Sequence, residues 1–212
     1  MRNIPFFDTQ NGVASLVLKE IPYTQSAYIT VLDTQDLPAL LEECVSFCRV
    51  VGAEKIYAKG HDGLSAYPMY MQVLQMDACT DTWPQTDAVM EPVTEENLNN
   101  WCEIYNRRMT GVDNAAYMSS FDARKMLVSG EGYFVKQQGS AVAIVMAADH
   151  KLSAVASIVP GGGRTAMLAL KKTFGWERLS LEVASTNLHA ISLYKSLEFT
   201  QNQVVSTWYK IL

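Results

Sequence analysis

The chain has 212 residues, 49% of them apolar, with 17 basic and 22 acidic side chains and a formal net charge of −5. That size and apolar content allow a packed core in one large domain or two small ones. The acidic balance argues against a general nucleic-acid footprint or an anionic membrane surface, no apolar run reaches the roughly 18 residues that span a bilayer, and residues 1–8 lack a signal-peptide core, so a soluble, cytoplasmic protein is expected.

Residues 13–19 (VASLVLK) and 27–32 (AYITVL) read as strands. Residues 36–51 read as an amphipathic helix with Asp36 at its N-cap and Pro38 in its first turn, and residues 54–59 as another strand. Residues 68–77 (PMYMQVLQMD) supply a last strand for this half. Cys44 and Cys48 share the apolar stripe of the helix, while Cys79 and Cys102 stand alone. No third or fourth ligand lies near the Cys44–Cys48 pair, so buried free thiols are expected and no metal site. Exposed apolar residues at 67–71 would mark an interface with a second copy or another partner.

Residues 77–89 (DACTDTWPQTDAV) gather Asp, Thr and Pro and read as a linker, which divides the chain into domains at residues 1–80 and 88–212. Beyond it, residues 90–93 form a short strand, and a helix opens at Thr94 as N-cap and runs through Trp101, Ile104 and Tyr105 towards Arg108. A loop at 109–117 precedes a second helix at 121–128, closed by Ser129 and Gly130. Residues 132–138 and 141–147 form a hairpin and residues 152–159 a further strand. Gly161, Gly162 and Gly163 then make a turn into a helical apolar run. Leu179, Leu181 and Val183 alternate as in a half-buried strand, Leu188, Ile191, Leu193, Tyr194 and Leu197 recur at helical spacing, and residues 204–211 end the chain as a strand.

The segment from 178 to 199 (RLSLEVA, STNLHAISLY, KSLEF) couples a strand, a cap at Thr186 or Asn187, a helix ending in Leu193 and Tyr194, and Phe199 where Gly-Phe is usual. It resembles the C-terminal signature of the GNAT superfamily of acyl-CoA N-acyltransferases. The succession of elements over 88–212 matches that superfamily as well. The resemblance implies an α+β fold with a central, mostly antiparallel mixed sheet flanked by helices. The first half mimics the back half of the second, which suggests an N-terminal partial GNAT-like domain, a divergent half-repeat.

For the site, the resemblance implies acetyl-CoA as co-substrate, with no metal, and a primary amine on a small molecule or peptide as acceptor. Backbone groups of Ser157, Ile158 and Val159 would meet the acyl oxygen on a splayed strand. Gly161, Gly162, Gly163, Arg164 and Thr165 would face the pyrophosphate at a helix start. Asn187 would reach the pantetheine arm, and Tyr194 would protonate the departing thiolate. Structural roles compete at each place: a tight connection at 161–163, a plain cap at Asn187, a packed ring at Tyr194. The glycine turn is shorter than the family's, and Arg164 stands where a second glycine is usual. The strand at 152–159 carries no carboxylate, so Glu182 or a water chain is left to take the amine's proton. Tyr105, Asp113, Tyr117, Trp208 and Tyr209 are candidate acceptor-pocket residues. His61, His150 and His189 match no nucleophile motif, and His189 is expected to face solvent. The alternative reading is a catalytically degenerate GNAT-fold module that binds acyl-CoA or serves interaction.

Overall fold

The computed structural model describes residues 6–212. The chain builds two compact units, one made of the residues up to Val73 with Val204–Leu212, the other of Leu74–Gln203. No helix among the described residues is long and apolar enough to cross a membrane.

The first unit contains β1 (Phe6–Thr9), β2 (Gly12–Val17), α1 (Ile21–Thr24), β3 (Ser26–Thr34), α2 (Leu37–Val50), β4 (Lys55–Lys59) and the start of β5 (Met69–Cys79). β1, β2 and β3 pair antiparallel in sequence order, and β4 returns parallel to β3 after α2. α2 starts as the sequence indicates, because Asp36 accepts the Ala39 N–H at 3.1 Å and Pro38 occupies the first turn, where its missing donor costs nothing. Its stripe of Leu40, Leu41, Cys44 and Cys48 packs on Ala14, Leu16, Ala27, Ile29, Ile56 and Ala58. β1 and α1 went unforeseen, since each has four residues, too few to display a period. Tyr28, Tyr57 and Tyr70 stack across three strands, with Trp208 edge-on to Tyr28 and Lys59 over the Trp208 ring. At 67–71, where exposed apolar residues would mark an interface, Met69 is exposed, Met71 is buried and Tyr70 lies against Tyr57.

The second unit begins with the end of β5 and continues through β6 (Val89–Pro92), α3 (Leu98–Met109), α4 (Ser120–Ser129), β7 (Gly132–Gln137), β8 (Ser140–Ala148), β9 (Lys151–Ser157), α5 (Gly162–Phe174), β10 (Arg178–Ala184) and α6 (Leu188–Lys195) to the start of β11 (Thr200–Lys210). β6, β7, β8 and β9 are antiparallel neighbours, and β10 is parallel to β9. Each unit is therefore a mixed sheet with helices against it. β8 reads SAVAIVMAA because both of its faces are covered: Ala143 and Val145 join the core under α5, while Ile144 joins Trp101, Tyr105, Met126 and Phe134 under α3 and α4. Gln138 and Gly139 both have positive φ, the requirement of a two-residue hairpin turn.

Three boundaries differ from the sequence reading. α3 starts at Leu98, four residues after Thr94, because Asn97 turns its side chain back to accept the Thr94 N–H at 2.8 Å and the intervening residues form a separate turn. The segment after Cys79 is no loose linker: Trp83 is buried in the core and donates its indole N–H to Leu197 O at 3.1 Å, and Thr80 is tied to Glu177 and Trp176. β11 starts at Thr200, earlier than residue 204, through polar residues that bond to β5, Gln203 with Gln75 and Thr200 with Asp77. Polar strand residues carry no apolar period.

Where β9 ends, the carbonyl of Val142 accepts N–H groups from both Ile158 (2.8 Å) and Val159 (3.3 Å). Gly161 follows at φ 80 as the N-cap of α5, and Gly162 lies so close that a Cβ there would stand 2.1 Å from the Val142 oxygen. Only glycine permits that approach.

Two outcomes follow. Gly162→Ala should lower stability by about 1–3 kcal/mol in denaturant melts, since backbone must move to admit the methyl. Burial pushes the Cys44 thiol from 9.0 up to about 12, with Cys48 and Glu43 adding to the shift, and burial raises Cys48 to about 11. Because both folded values lie above the unfolded one, this stabilisation is complete below pH 9 and is lost as pH climbs through about 11 to 12. A thiol reagent at pH 8 should accordingly modify exposed Cys79 at once and Cys44 and Cys48 only after unfolding, as timed absorbance would show.

Candidate active site

Parallel β9 and β10 pair only where Ser180 meets Lys151 and Leu181 meets Leu152. Beyond those residues the strands diverge, and a cleft of about 500 Å³ opens along the rest of β9. Its lining brings together residues 151–157 of β9, Glu182, Val183 and Ala184 of β10, Asn187, His189, Ala190, Leu193 and Tyr194 around α6, Tyr105, Arg108 and Met109 of α3, residues 112–115, and Gly163.

The hydrogen-bond pattern of the β8–β9 ladder decides which peptide groups face this space. Ile158 bonds directly across to Val142, so the partners of Ile144 and Met146, namely Ala156 and Ala154, are also of the bonded type. Alternation in an antiparallel ladder then turns the N–H and C=O of Val155 and Ser157 away from β8, to the side that β10 has left. The amides of Ile158 and Val159 are instead spent on Val142, and neither residue lines the cleft.

At the start of α5 the first intrahelical bond is from Thr165 N–H to Gly161 O, and Gly162 N–H is taken by Val159 O. The N–H groups of Gly163 and Arg164 are left as the unpaired donors common to helix N-termini. Gly163 is buried against Leu193 and Ser157, 3.0 Å from where its Cβ would stand. Arg164 points elsewhere: its guanidinium reaches Ser196 O and Oγ at 3.4 and 3.3 Å, beyond the C-terminal end of α6. Thr165 Oγ1 donates back to Gly161 O.

α6 begins with Asn187, whose Oδ1 accepts the Ala190 N–H at 3.1 Å, so its capping role and its place in the cleft wall coexist. Thr186, the other candidate cap, donates its hydroxyl to Asp113 at 2.6 Å. Tyr194 is 7% exposed, packs on Phe199 at 5.5 Å between centroids, and makes no hydrogen bond through its hydroxyl to any described residue. Burial alone pushes its phenol up to about 12.

Of the candidate acceptor-pocket residues, Tyr105 and Asp113 line the cleft; Tyr117, Trp208 and Tyr209 do not, and the last two belong to the first unit. Glu182 is in the wall but held by Lys151 at 2.6 Å. His189 is exposed and stands on the cleft's edge, where the sequence reading had it facing solvent alone. Arg108 and Lys151 were missed as site residues. Arg108 lies one turn after Tyr105 on the same helix face, a spacing the sequence displays. Lys151 carries no such signal, since it depends on which strand lies beside β9. Among the described residues no His, Cys, Asp and Glu cluster could hold a metal ion.

No protein-family model and no curated protein sequence matches this chain. Solved structures do. A functionally unknown conserved protein from Staphylococcus epidermidis superposes with a TM-score of 0.57 at 10% identity, covering 99% of this chain and 94% of its own. A GCN5-related N-acetyltransferase from Sphaerobacter thermophilus gives 0.56 at 9% identity over 93% of this chain and 75% of that one. A GNAT-family acetyltransferase from Colwellia psychrerythraea gives 0.52 at 12% identity over 97% and 84%. At such identities the likeness is one of fold. The chain has the GNAT fold.

Proposed function

We propose that the protein is an N-acyltransferase that carries an acetyl group from acetyl-CoA to a primary amine by direct attack. The observation that carries this reading is the divergence of β9 from β10, with Tyr194 in the wall of the resulting cleft. The residues present suit such a co-substrate. An unpaired strand edge is offered to the pantetheine amides, and glycine at 161–163 keeps side chains off the anion-facing N–H groups of Gly163 and Arg164. When bound, the thioester supplies an activated carbonyl and a thiolate leaving group.

The protein's own groups then divide the work. Ser157 N–H, facing the splay, is the donor for the acyl oxygen. Tyr194 keeps its proton at neutral pH because burial opposes the phenolate, and it donates that proton to the departing sulfur. Asn187 fixes the start of α6 and thereby the position of Tyr194 two turns on. The N–C bond forms as the C–S bond breaks. Of the two protons the ammonium gives up, one ends on the thiol by way of Tyr194 and the other in solvent, with Glu182 engaged by Lys151. We further read residues 1–80 as a divergent partial repeat of residues 88–212 in a cytoplasmic protein. The antiparallel pair, helix and parallel strand of β2, β3, α2 and β4 recur in β8, β9, α5 and β10, which supports that reading.

A second reading, a GNAT-fold module without turnover, is favoured by the loss of the Ile158 and Val159 amides to Val142 and of the Arg164 side chain to Ser196. Calorimetric titration with acetyl-CoA separates the two from a ligand-free scaffold: saturable binding supports the first reading, and none at millimolar ligand removes it. Tyr194→Phe should bind acetyl-CoA as the parent does but lose on the order of 10²-fold in kcat in a thiol-release assay. Unchanged kcat would exclude the acid role. Because the phenol holds its proton up to about pH 12, kcat of the parent should show no alkaline decline from Tyr194 between pH 8 and 10.

A further inference from the structure

Of the charged side chains in the cleft wall, Lys151 and Glu182 neutralise each other, Asp113 is held by a hydroxyl, and Arg108 has no carboxylate beside it among the described residues. Lys151 and Glu182 are paired at 2.6 Å, and Asp113 accepts from Thr186 at 2.6 Å. Arg108 donates Nη2 to the carbonyl of Ile158 at 2.7 Å, a neutral acceptor, and no carboxylate among the described residues lies within ion-pair distance of it. A guanidinium has five N–H donors in a rigid fork, and the bond to Ile158 uses one of them while fixing the plane of the rest. Ile158 follows Ser157, the residue whose N–H faces the splay, so this cation is anchored one residue along the chain from the peptide assigned to the acyl oxygen.

We propose that Arg108 recognises an anionic group on the acceptor, and that the acceptors are small amines that also carry a carboxylate, amino acids being the simplest. The inference rests on the acyl-transfer reading above. A carboxylate can take two parallel bonds from the fork, which a lysine or an amide at the same place could not match. A zwitterion also suits the wall as a whole, since Arg108, Lys151, Glu182 and Asp113 sum to no net charge and Arg108 has no ion-pair partner among the described residues. The carboxylate is thereby held at α3, and the amine is directed along β9 towards the acyl carbon. The same guanidinium chemistry would serve a phosphate of the co-substrate, and the two sources are distinguished by the ligand whose binding depends on Arg108.

Thiol release should be measured with matched pairs that differ only in the carboxylate, alanine against ethylamine and phenylalanine against phenethylamine, alongside calorimetric binding of acetyl-CoA. The parent should favour the acid of each pair by about tenfold or more in kcat/KM, Arg108→Gln should erase that ratio through KM, and Arg108→Lys should keep part of it. A ratio near one in the parent, a ratio untouched by Arg108→Gln, or no turnover of any pair by protein that binds acetyl-CoA would overturn the proposal while leaving acyl-CoA binding intact. If Arg108→Gln weakens acetyl-CoA binding about tenfold and leaves the ratio alone, the cation serves the co-substrate's phosphate and the proposal falls. Absence of acetyl-CoA binding to the parent would remove the underlying reading itself.

Discussion

One backbone oxygen organises the candidate site. The carbonyl of Val142 accepts two N–H groups, from Ile158 and Val159, and stands where a side chain on Gly162 would have to go. These contacts turn the chain out of the sheet at the end of β9 and set the first turn of α5 directly against β8. Ser157 is left as the last residue whose peptide looks into the splay, and Gly163 as the first helical residue in the cleft wall. A parallel pair continuing past Leu152 and Leu181 would close the cleft, because β10 would take up the peptide groups that β9 now leaves open.

Around that point the protein separates rigidity from chemistry. The two faces of β8 feed two cores, so the wall behind the cleft is held from both sides. The lining itself is built from small residues, Ser153, Ala154, Ala156 and Ser157, and from polar groups on loops and helix ends. Such groups are costly to bury without partners, and most have one: Asn187 caps a helix, Thr186 holds Asp113, Lys151 holds Glu182. Tyr194 and Arg108 differ. The phenol is buried without a hydrogen bond, and the guanidinium has only a carbonyl. The Tyr194 hydroxyl and the remaining donors of the exposed Arg108 guanidinium are thus available to a ligand.

Several elements were legible because their causes are local. Asp36 before Pro38 marks the start of α2, Gly130 at positive φ closes α4, and Asn187 caps α6, each through chemistry within four residues. Elements with distant causes were misread. Residues 77–89 read as a linker, yet Trp83 lies in the core with its N–H on Leu197, more than a hundred residues away. Polar Thr200 and Gln203 belong to a strand because β5 lies beside them. Trp208 and Tyr209 looked like acceptor residues by analogy of position, yet they sit with Tyr28 and Ile211 in the first unit.

Sequence alone determined the mixed α/β class, the order of elements across the second half, the glycine turn, and the helix bearing Asn187 and Tyr194, because periodicity, capping and turn chemistry act over a few residues. Tertiary structure decided which groups share a cleft. That Ser157 offers its amide while Ile158 and Val159 do not, that Glu182 is neutralised by Lys151, and that Arg108 is left without a counter-charge all depend on strand register and on which strand ends diverge. Those are relations between segments distant in sequence, set by packing and ladder alternation, and no local pattern records them.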